Sequence, residues 1–353
     1  MTDATARTKV RVALIGAGSW AVANHMPVLA KRADVELVGV VRPGQAELAR
    51  VKQTFGFTHA FEDYRQLLDT VEFDAAIIAS PHHLHAEQAL AALEHGAHVM
   101  VEKPMATSSA DARRLIEAAQ RRGREILVPY GWNFQPYFRA ARAMIEQGRI
   151  GRIRHVVAQM ATPIEDLMSG GELQGTETEM FRPESSTWTT PGSGGYGWGQ
   201  LVHLLGGLFY LSDLEPERVF AMLGNSAIGT DLYNALTVSF AGGVTGALSG
   251  AASLPPGSPF QVDIRLFGTE GTVLLDVERE RLWLRRLDGA DEDVPIEPGA
   301  GAYTCSAPVD AFIDLCLGRP VENCGNAVVG LRSVQIVEAM LASAAAGAPV
   351  HVN

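Results

Sequence analysis

Cysteine is scarce. The chain has 3 in 353 residues, Cys305, Cys316 and Cys324, odd in number and without C-x-x-C spacing. That excludes a disulfide-built scaffold and a cysteine-ligated metal centre, and the thiols read as reduced in a cytoplasmic protein. Positive charge is also in deficit, with 29 Lys+Arg against 40 Asp+Glu and a net charge of -11. Phosphate backbones and anionic lipid repel such a chain, which argues against nucleic acid and membrane surface as partners. A local basic pocket for one small anion stays allowed. Long hydrophobic runs are missing near the middle, where Leu201 to Leu211 falls well short of the ~20 residues a membrane helix needs. Near the N-terminus, Arg7, Lys9 and Arg11 precede an apolar stretch ending Ala21-Val22-Ala23, which imitates a secretion leader. Gly16 and Gly18 interrupt what would have to be a continuous apolar core.

What is present suits two globular domains. Hydrophobic residues make up 47% and charged residues 20%, and the length is about twice the usual ~150 residues per domain. Residues 1–130 alternate strand and helix. Val10 to Ile15, Val35 to Val41, Asp74 to Ala79, Ala97 to Glu102 and Glu125 to Tyr130 are short apolar runs of the kind buried on both faces. Helical segments from Trp20 to Lys31, Gln45 to Phe55, His83 to His95 and Ser108 to Gly123 separate them. The pattern predicts a doubly wound parallel sheet, a Rossmann domain binding a dinucleotide.

Residues 131–353 read as an α+β domain for substrate binding and oligomerisation. A Gly-, Ser-, Thr- and Pro-rich excursion over 161–199 predicts a lid or binding loop. Period-two alternation follows, with Leu236, Val238 and Phe240 on one face and Ala235, Thr237 and Ser239 on the other. Gly242-Gly243 predicts a hairpin. The result is an open, largely antiparallel sheet, whose apolar outer face predicts a homodimer or homotetramer.

Gly16-Ala17-Gly18-Ser19-Trp20-Ala21 fits G-x-G-x-x-G/A between a strand and a helix. In that place the glycines allow a tight turn and close approach to a pyrophosphate, which sits on the helix start. An NAD site wants a carboxylate at the end of the second strand, but that strand ends Val40-Val41-Arg42-Pro43. Arg42 suits a 2′-phosphate instead, so NADP(H) is expected over NAD(H).

Gly16-Ala17-Gly18, Ser80-Pro81 with His85, Glu102-Lys103-Pro104, Gly268-Thr269-Glu270-Gly271-Thr272 and the closing Gly330-Leu331-Arg332 helix resemble the glucose–fructose oxidoreductase / inositol dehydrogenase / MocA family. The resemblance covers nearly the whole chain. It implies that Lys103 lies beside the nicotinamide and holds the reacting oxygen of a sugar or cyclitol. It also implies that Ser80, Pro81 and His82, with His85 and Glu102, line the cofactor. The family signature Asp-x-x-x-His falls on Gly199-Gln200-Leu201-Val202-His203: His203 matches, and the carboxylate position is Gly199.

His203 is then the general base, with Lys103 stabilising negative charge on oxygen. Tyr196, two helical turns before His203 on nearly the same face, and Tyr130, after the last parallel strand, are candidate substitute acids. Trp132, Asn133, Arg182, Trp188, Tyr196 and His203 are candidate substrate contacts. His82, His83 and His85 face different ways from a helix start and do not make a zinc site.

The expected activity is an NADP(H)-dependent oxidoreductase moving a hydride between nicotinamide and a sugar-like alcohol or ketone. The alternatives are an enzyme that keeps its nicotinamide bound and uses transient oxidation for glycosidase, epimerase or elimination chemistry, and a non-catalytic NADP-binding regulator.

Overall fold

The computed structural model describes residues 9–177 and 179–353. Arg7, in the leader-like segment, lies outside them. Six strands form the first sheet: β1 (Val10–Ile15), β2 (Val35–Val41), β3 (His59–Phe61), β4 (Ala75–Ile78), β5 (His98–Val101) and β6 (Ile126–Leu127), in the order β3-β2-β1-β4-β5-β6. Every pairing is parallel. β4 is buried throughout, and β1 at all positions but Arg11, which is why both read as unbroken apolar runs. Strand order reverses between β1 and β4, and in open α/β sheets the ligand crevice lies beyond the carboxyl ends at that point. The turns after these two strands touch there: a Cβ on Gly16 would lie 2.3 Å from the Ser80 backbone nitrogen, and Gly16 has φ +93°.

Two expectations shift. The last strand is only Ile126–Leu127 rather than Glu125 to Tyr130, because the Val128 N–H donates outward to the Gly325 carbonyl and Pro129 has no N–H to give. The helix after the glycine turn is not regular either. It opens as a π-turn over Ala21–His25 and continues as α only over Met26–Leu29, with Pro27 in its first turn.

Among the described residues the second sheet has nine strands. In chain order they are β7 (Ile153–Ala161), β8 (Pro216–Asn225), β9 (Asp231–Phe240), β10 (Val244–Ala251), β11 (Gln261–Gly268), β12 (Gly271–Asp276), β13 (Arg281–Arg286), β14 (Glu292–Val294) and β15 (Val350–His351). The order is β14-β13-β12-β11-β7-β10-β9-β8-β15, and of these described strands only β7 and β10 pair parallel. Gly242 and Gly243 turn β9 into β10 with positive φ. Leu236, Val238 and Phe240 are buried while Ala235 and Thr237 are exposed, as period two requires.

The helix Ala327–Ala346 is 20 residues long and by length and composition could cross a membrane. Here it is a core helix, with Val334, Ile336, Val337 and Met340 buried against β8 and the helix Ser109–Arg122. A charged cluster ties the helix Ser306–Cys316 to the first sheet's layer, Arg32 reaching Asp310 at 2.8 Å and Asp314 at 2.8 Å.

Candidate active site

The glycine turn, the end of β2, the turn after β4 and the end of β5 converge at the mouth of the parallel sheet. Among the described residues Gly18 has nothing within 4 Å of where a Cβ would stand, and half-buried Ser19 opens the helical segment behind it. That is the open, donor-rich cradle a pyrophosphate needs, so the residues present fit a dinucleotide. Arg42 closes the far end. Its Nη1 donates to the Ala17 carbonyl at 2.8 Å and its Nε to Pro43 at 3.2 Å, while Phe181 of the long excursion lies 4.0 Å under the guanidinium. Burial lowers the Arg42 pKa without removing its charge.

At the other end sit Glu102 and Lys103, both buried. Two π-turns, one from each half of the chain, serve this dipeptide. The first, Ala21–His25, brings His25 Nε2 within 2.7 Å of Glu102 Oε1, so that the ring donates to the carboxylate. Trp20 Nε1 donates to the same oxygen at 2.9 Å, and the Lys103 N–H to Oε2 at 3.1 Å. Burial opposes the carboxylate charge, but the His25 hydrogen bond and the positive charge beside it hold the group down to about 2. Glu102 is therefore a fixed anion.

The second π-turn, Gly197–Leu201, offers its Gly199 carbonyl to Lys103 Nζ at 2.9 Å. Burial lowers the Lys103 pKa, opposed by the charge of Glu102. An ammonium carries three N–H donors, so one bond to Gly199 leaves two for a ligand.

His203 follows on the helix Val202–Leu211. Its ring stands edge-on to Tyr303 at 5.0 Å, Trp132 at 5.9 Å and Tyr130 at 6.4 Å. Its buried Nδ1 has no partner among the described residues. Burial, then the charge of Lys103, press its pKa well below 6.5, so the imidazole is neutral at physiological pH and feels the ammonium directly. Lys103 and His203 thus share one electrostatic environment.

Other expected residues are placed differently. Tyr196 is buried, and its hydroxyl donates to the Met160 carbonyl on β7 at 3.1 Å. The seven-residue spacing to His203 presumed a continuous α-helix. The intervening π-turn adds a residue to one turn and rotates Tyr196 off that face. Asn133 gives its amide N–H groups to the Gly206 and Cys324 carbonyls at 3.1 and 3.0 Å and braces the two segments, while its buried Oδ1 meets no donor among the described residues. Arg182 is exposed and paired with Glu172 at 2.7 Å.

Both ring nitrogens of His85 face carbonyls, of Pro104 and Ser80, at 2.7 Å each, so it clamps the turns after β4 and β5 to one another instead of facing a cofactor. Ser80 Oγ donates to Gln88 at 2.6 Å, and Pro81 stands at the cap of the next turn, half-buried. His82 Nδ1 lies 2.8 Å from the Ser193 carbonyl. Burial with the nearby His85 and Lys103 lowers its pKa to about 3, so it too is neutral and donates that bond.

Trp132 donates from Nε1 to Gly301 at 3.0 Å and forms a wall behind His203. Tyr130 packs on the helix at Gly206, where a Cβ would meet its ring at 2.6 Å, and burial raises its pKa, so it holds its proton. Trp188 reaches the site, 5.2 Å from Lys103 Nζ. Sequence patterns offered no route to His25, Phe181 or Tyr303, which come from an irregular helix start and two coil segments. Among the described residues, no group of three or more His, Cys, Asp or Glu is gathered that could hold a metal.

The family models now decide the lineage. Residues 10–130 match the oxidoreductase family GFO_IDH_MocA with an NAD-binding Rossmann fold, and residues 138–274 match the GFO/IDH/MocA C-terminal domain. The chain belongs to the GFO/IDH/MocA family. It is an oxidoreductase built on a nicotinamide-dinucleotide-binding fold. A scyllo-inositol 2-dehydrogenase (NADP(+)) from Bacillus subtilis is 26% identical over 292 residues, 81% of this chain and 83% of that one. A D-glucoside 3-dehydrogenase from Escherichia coli is 30% identical, over 50% of this chain and 51% of its own. Among solved structures, levoglucosan dehydrogenase in complex with NADH has a TM-score of 0.75 at 23% identity, covering 98% of this chain and 99% of the other.

Proposed function

We propose that this chain is an NADP(H)-dependent dehydrogenase of sugar or cyclitol CH–OH groups, with Lys103 and His203 as its catalytic pair. The observation that carries it is a buried ammonium with two donors, beside a neutral imidazole with its Nδ1, that no described residue engages. The cofactor would be held by Gly16, Gly18, Ser19 and Trp20 at the glycine turn, Arg42 at its 2′-phosphate, and Ser80, Pro81 and His82 along its length. When bound, the nicotinamide supplies the hydride acceptor or donor.

The protein must do the rest. Lys103 orients the carbinol oxygen with the two N–H groups that Gly199 leaves free, and stabilises negative charge there as the proton departs. His203 takes that proton on a ring nitrogen in the oxidising direction and returns it in the reducing one. Trp132, Tyr130 and Tyr303 keep water from the imidazole, which holds it in the basic form. Named relatives acting on inositol, glucoside and levoglucosan support the substrate class, and the NADP(+) of the inositol enzyme supports the cofactor. The three unpaired cysteines suit a reducing cytoplasm.

A screen of keto sugars, inositols and aldopyranoses with NADPH or NADP+ tests the proposal. Stoichiometric absorbance change with at least one of them is expected. Turnover without net absorbance change would point instead to bound nicotinamide and transient oxidation. Cofactor binding with no turnover of any polyol would sink the dehydrogenase reading. We further propose that the outer face of the second sheet, where Phe220, Met222 and Tyr233 are exposed, is covered by another copy of this chain, because such a face is an association surface. Sedimentation at micromolar concentration should give a dimer or tetramer, and a monomeric mass would refute it.

A further inference from the structure

We propose that Trp188 is the specificity-determining residue of this site: its indole takes the volume a side chain at position 199 would need and offers an aromatic face, beside the Lys103 ammonium, to the C–H face of a cyclic polyol. The inference rests on the reading above that Lys103 holds the reacting oxygen.

The packing at Gly199 shows a built arrangement. A Cβ there would stand 2.3 Å from Trp188 Cζ3 and 2.6 Å from Cε3, so only glycine admits the indole. The same Gly199 presents its carbonyl to Lys103 Nζ at 2.9 Å, and that Nζ lies 5.2 Å from the indole centroid, within cation–π range. His82 stands edge-on to the indole at 5.5 Å. Its Nδ1 is bonded to the Ser193 carbonyl at 2.8 Å, which pins the chain just past Trp188. Before Trp188, its own N–H donates to the Ser185 carbonyl at 2.9 Å and closes the short turn that carries it. One segment of the excursion is thus held on both sides of the residue that enters the site.

The chemical consequence follows from what an indole can and cannot do. A carboxylate at position 199 would accept hydrogen bonds from hydroxyl groups whatever the shape of the molecule bearing them. An aromatic face accepts no in-plane hydrogen bond, and it attracts polarised C–H groups and cations through its quadrupole. Pyranoses and inositols gather axial C–H groups on one side of a rigid ring and can cover the indole. A linear polyol has no such face to present. The site therefore selects rings.

The test compares the full-length wild type with Trp188→Ala, Trp188→Phe, Gly199→Ala and the double variant Trp188→Ala/Gly199→Ala. Each is assayed with NADP+ on myo-inositol, glucose and sorbitol, reading KM, or an inhibition constant for a compound not turned over. Trp188→Ala should raise the constant for the two rings by about tenfold, with kcat changed less than about threefold and the sorbitol constant unmoved, the pattern of lost uniform binding. Trp188→Phe should recover most of the loss. Gly199→Ala should reproduce Trp188→Ala by evicting the indole, and the double variant should be no worse than either single one, since both remove the same contact.

Ring polyols should also quench tryptophan fluorescence in the wild type and lose that effect in Trp188→Phe, a readout independent of turnover. Equal changes for rings and sorbitol, no change at all, full additivity of the two substitutions, or quenching that survives Trp188→Phe overturns the inference alone. A wild type that turns over no polyol overturns the dehydrogenase reading and this inference with it.

Discussion

Lys103→Met is expected to lower kcat by a factor of about a hundred to a thousand, the usual cost of removing one preorganised donor from a developing oxyanion, while NADPH affinity changes little. Methionine keeps the length and apolar stem of lysine, so the buried channel beside Gly199 stays filled and the fold is not asked to close a cavity. What disappears is the ammonium: the bond to the Gly199 carbonyl, the two donors left for substrate, and the positive charge that helps keep His203 neutral.

The wild-type pH profile carries the same assignment. Because burial and the Lys103 charge press His203 well below 6.5, the base form persists as pH falls through that value, and kcat/KM for oxidation should stay level there. Because burial lowers Lys103 from 10.5, loss of its proton should bring the rate down on the alkaline side before that value is reached. In Lys103→Met the alkaline limb should vanish. Near-normal kcat in that variant, or a wild-type acid limb centred on 6.5, would remove Lys103 and His203 from their roles.

Arg42→Asp should shift the ratio of kcat/KM for NADPH over NADH toward NADH by about a hundredfold. The charge-assisted bonds to a 2′-phosphate are worth roughly 1.5–3 kcal/mol, and each 1.4 kcal/mol is tenfold; the introduced carboxylate then repels the phosphate and can accept from a ribose 2′-hydroxyl instead. The site is prepared for either occupant. The backbone at position 42 is held by its own N–H to the Phe61 carbonyl at 3.2 Å and, one residue before, by the Val41 carbonyl accepting from the Gly16 and Ala17 N–H groups at 2.9 and 3.1 Å, so residue 42 starts from the same edge of the crevice whatever its side chain. Losing the Phe181 stack should cost some local order in the excursion but not the parallel sheet, which Arg42 only flanks. An unchanged preference ratio would falsify the phosphate assignment.

How much of this was readable in advance depended on range along the chain. Gly16, Gly18 and Arg42 could be placed because a glycine turn between strand and helix and the tip of the next strand are local features with fixed geometry. The alternation in β9 and β10 was readable for the same reason. The partners of Glu102–Lys103 were not, because His25 is 77 residues away and Gly199 is 96, and no periodicity links positions so far apart. Tyr196 misled for a different reason. Counting turns works only while the helix keeps its pitch, and the widened turn at Gly197–Leu201 breaks that count between Tyr196 and His203. His85 and Asn133 have the chemistry of ligands, but both ring nitrogens of His85 face carbonyls of the protein and the amide N–H groups of Asn133 are given to two more, which leaves Asn133 its Oδ1.

That widened turn has a bearing on how this enzyme could change. A single-residue deletion within Gly197–Leu201 would restore ordinary pitch and leave the chain on either side facing as it does, because the widened turn absorbs one extra residue in a single revolution. The carbonyl that steadies the lysine lies inside that turn, so the deletion would disturb that bond and not the direction of the imidazole, and the helix itself would be tighter and more regular. Shortening this centre by one position would exchange the lysine's carbonyl partner for a regular helix, so its length is tied to the lysine as its side chains are tied to the indole.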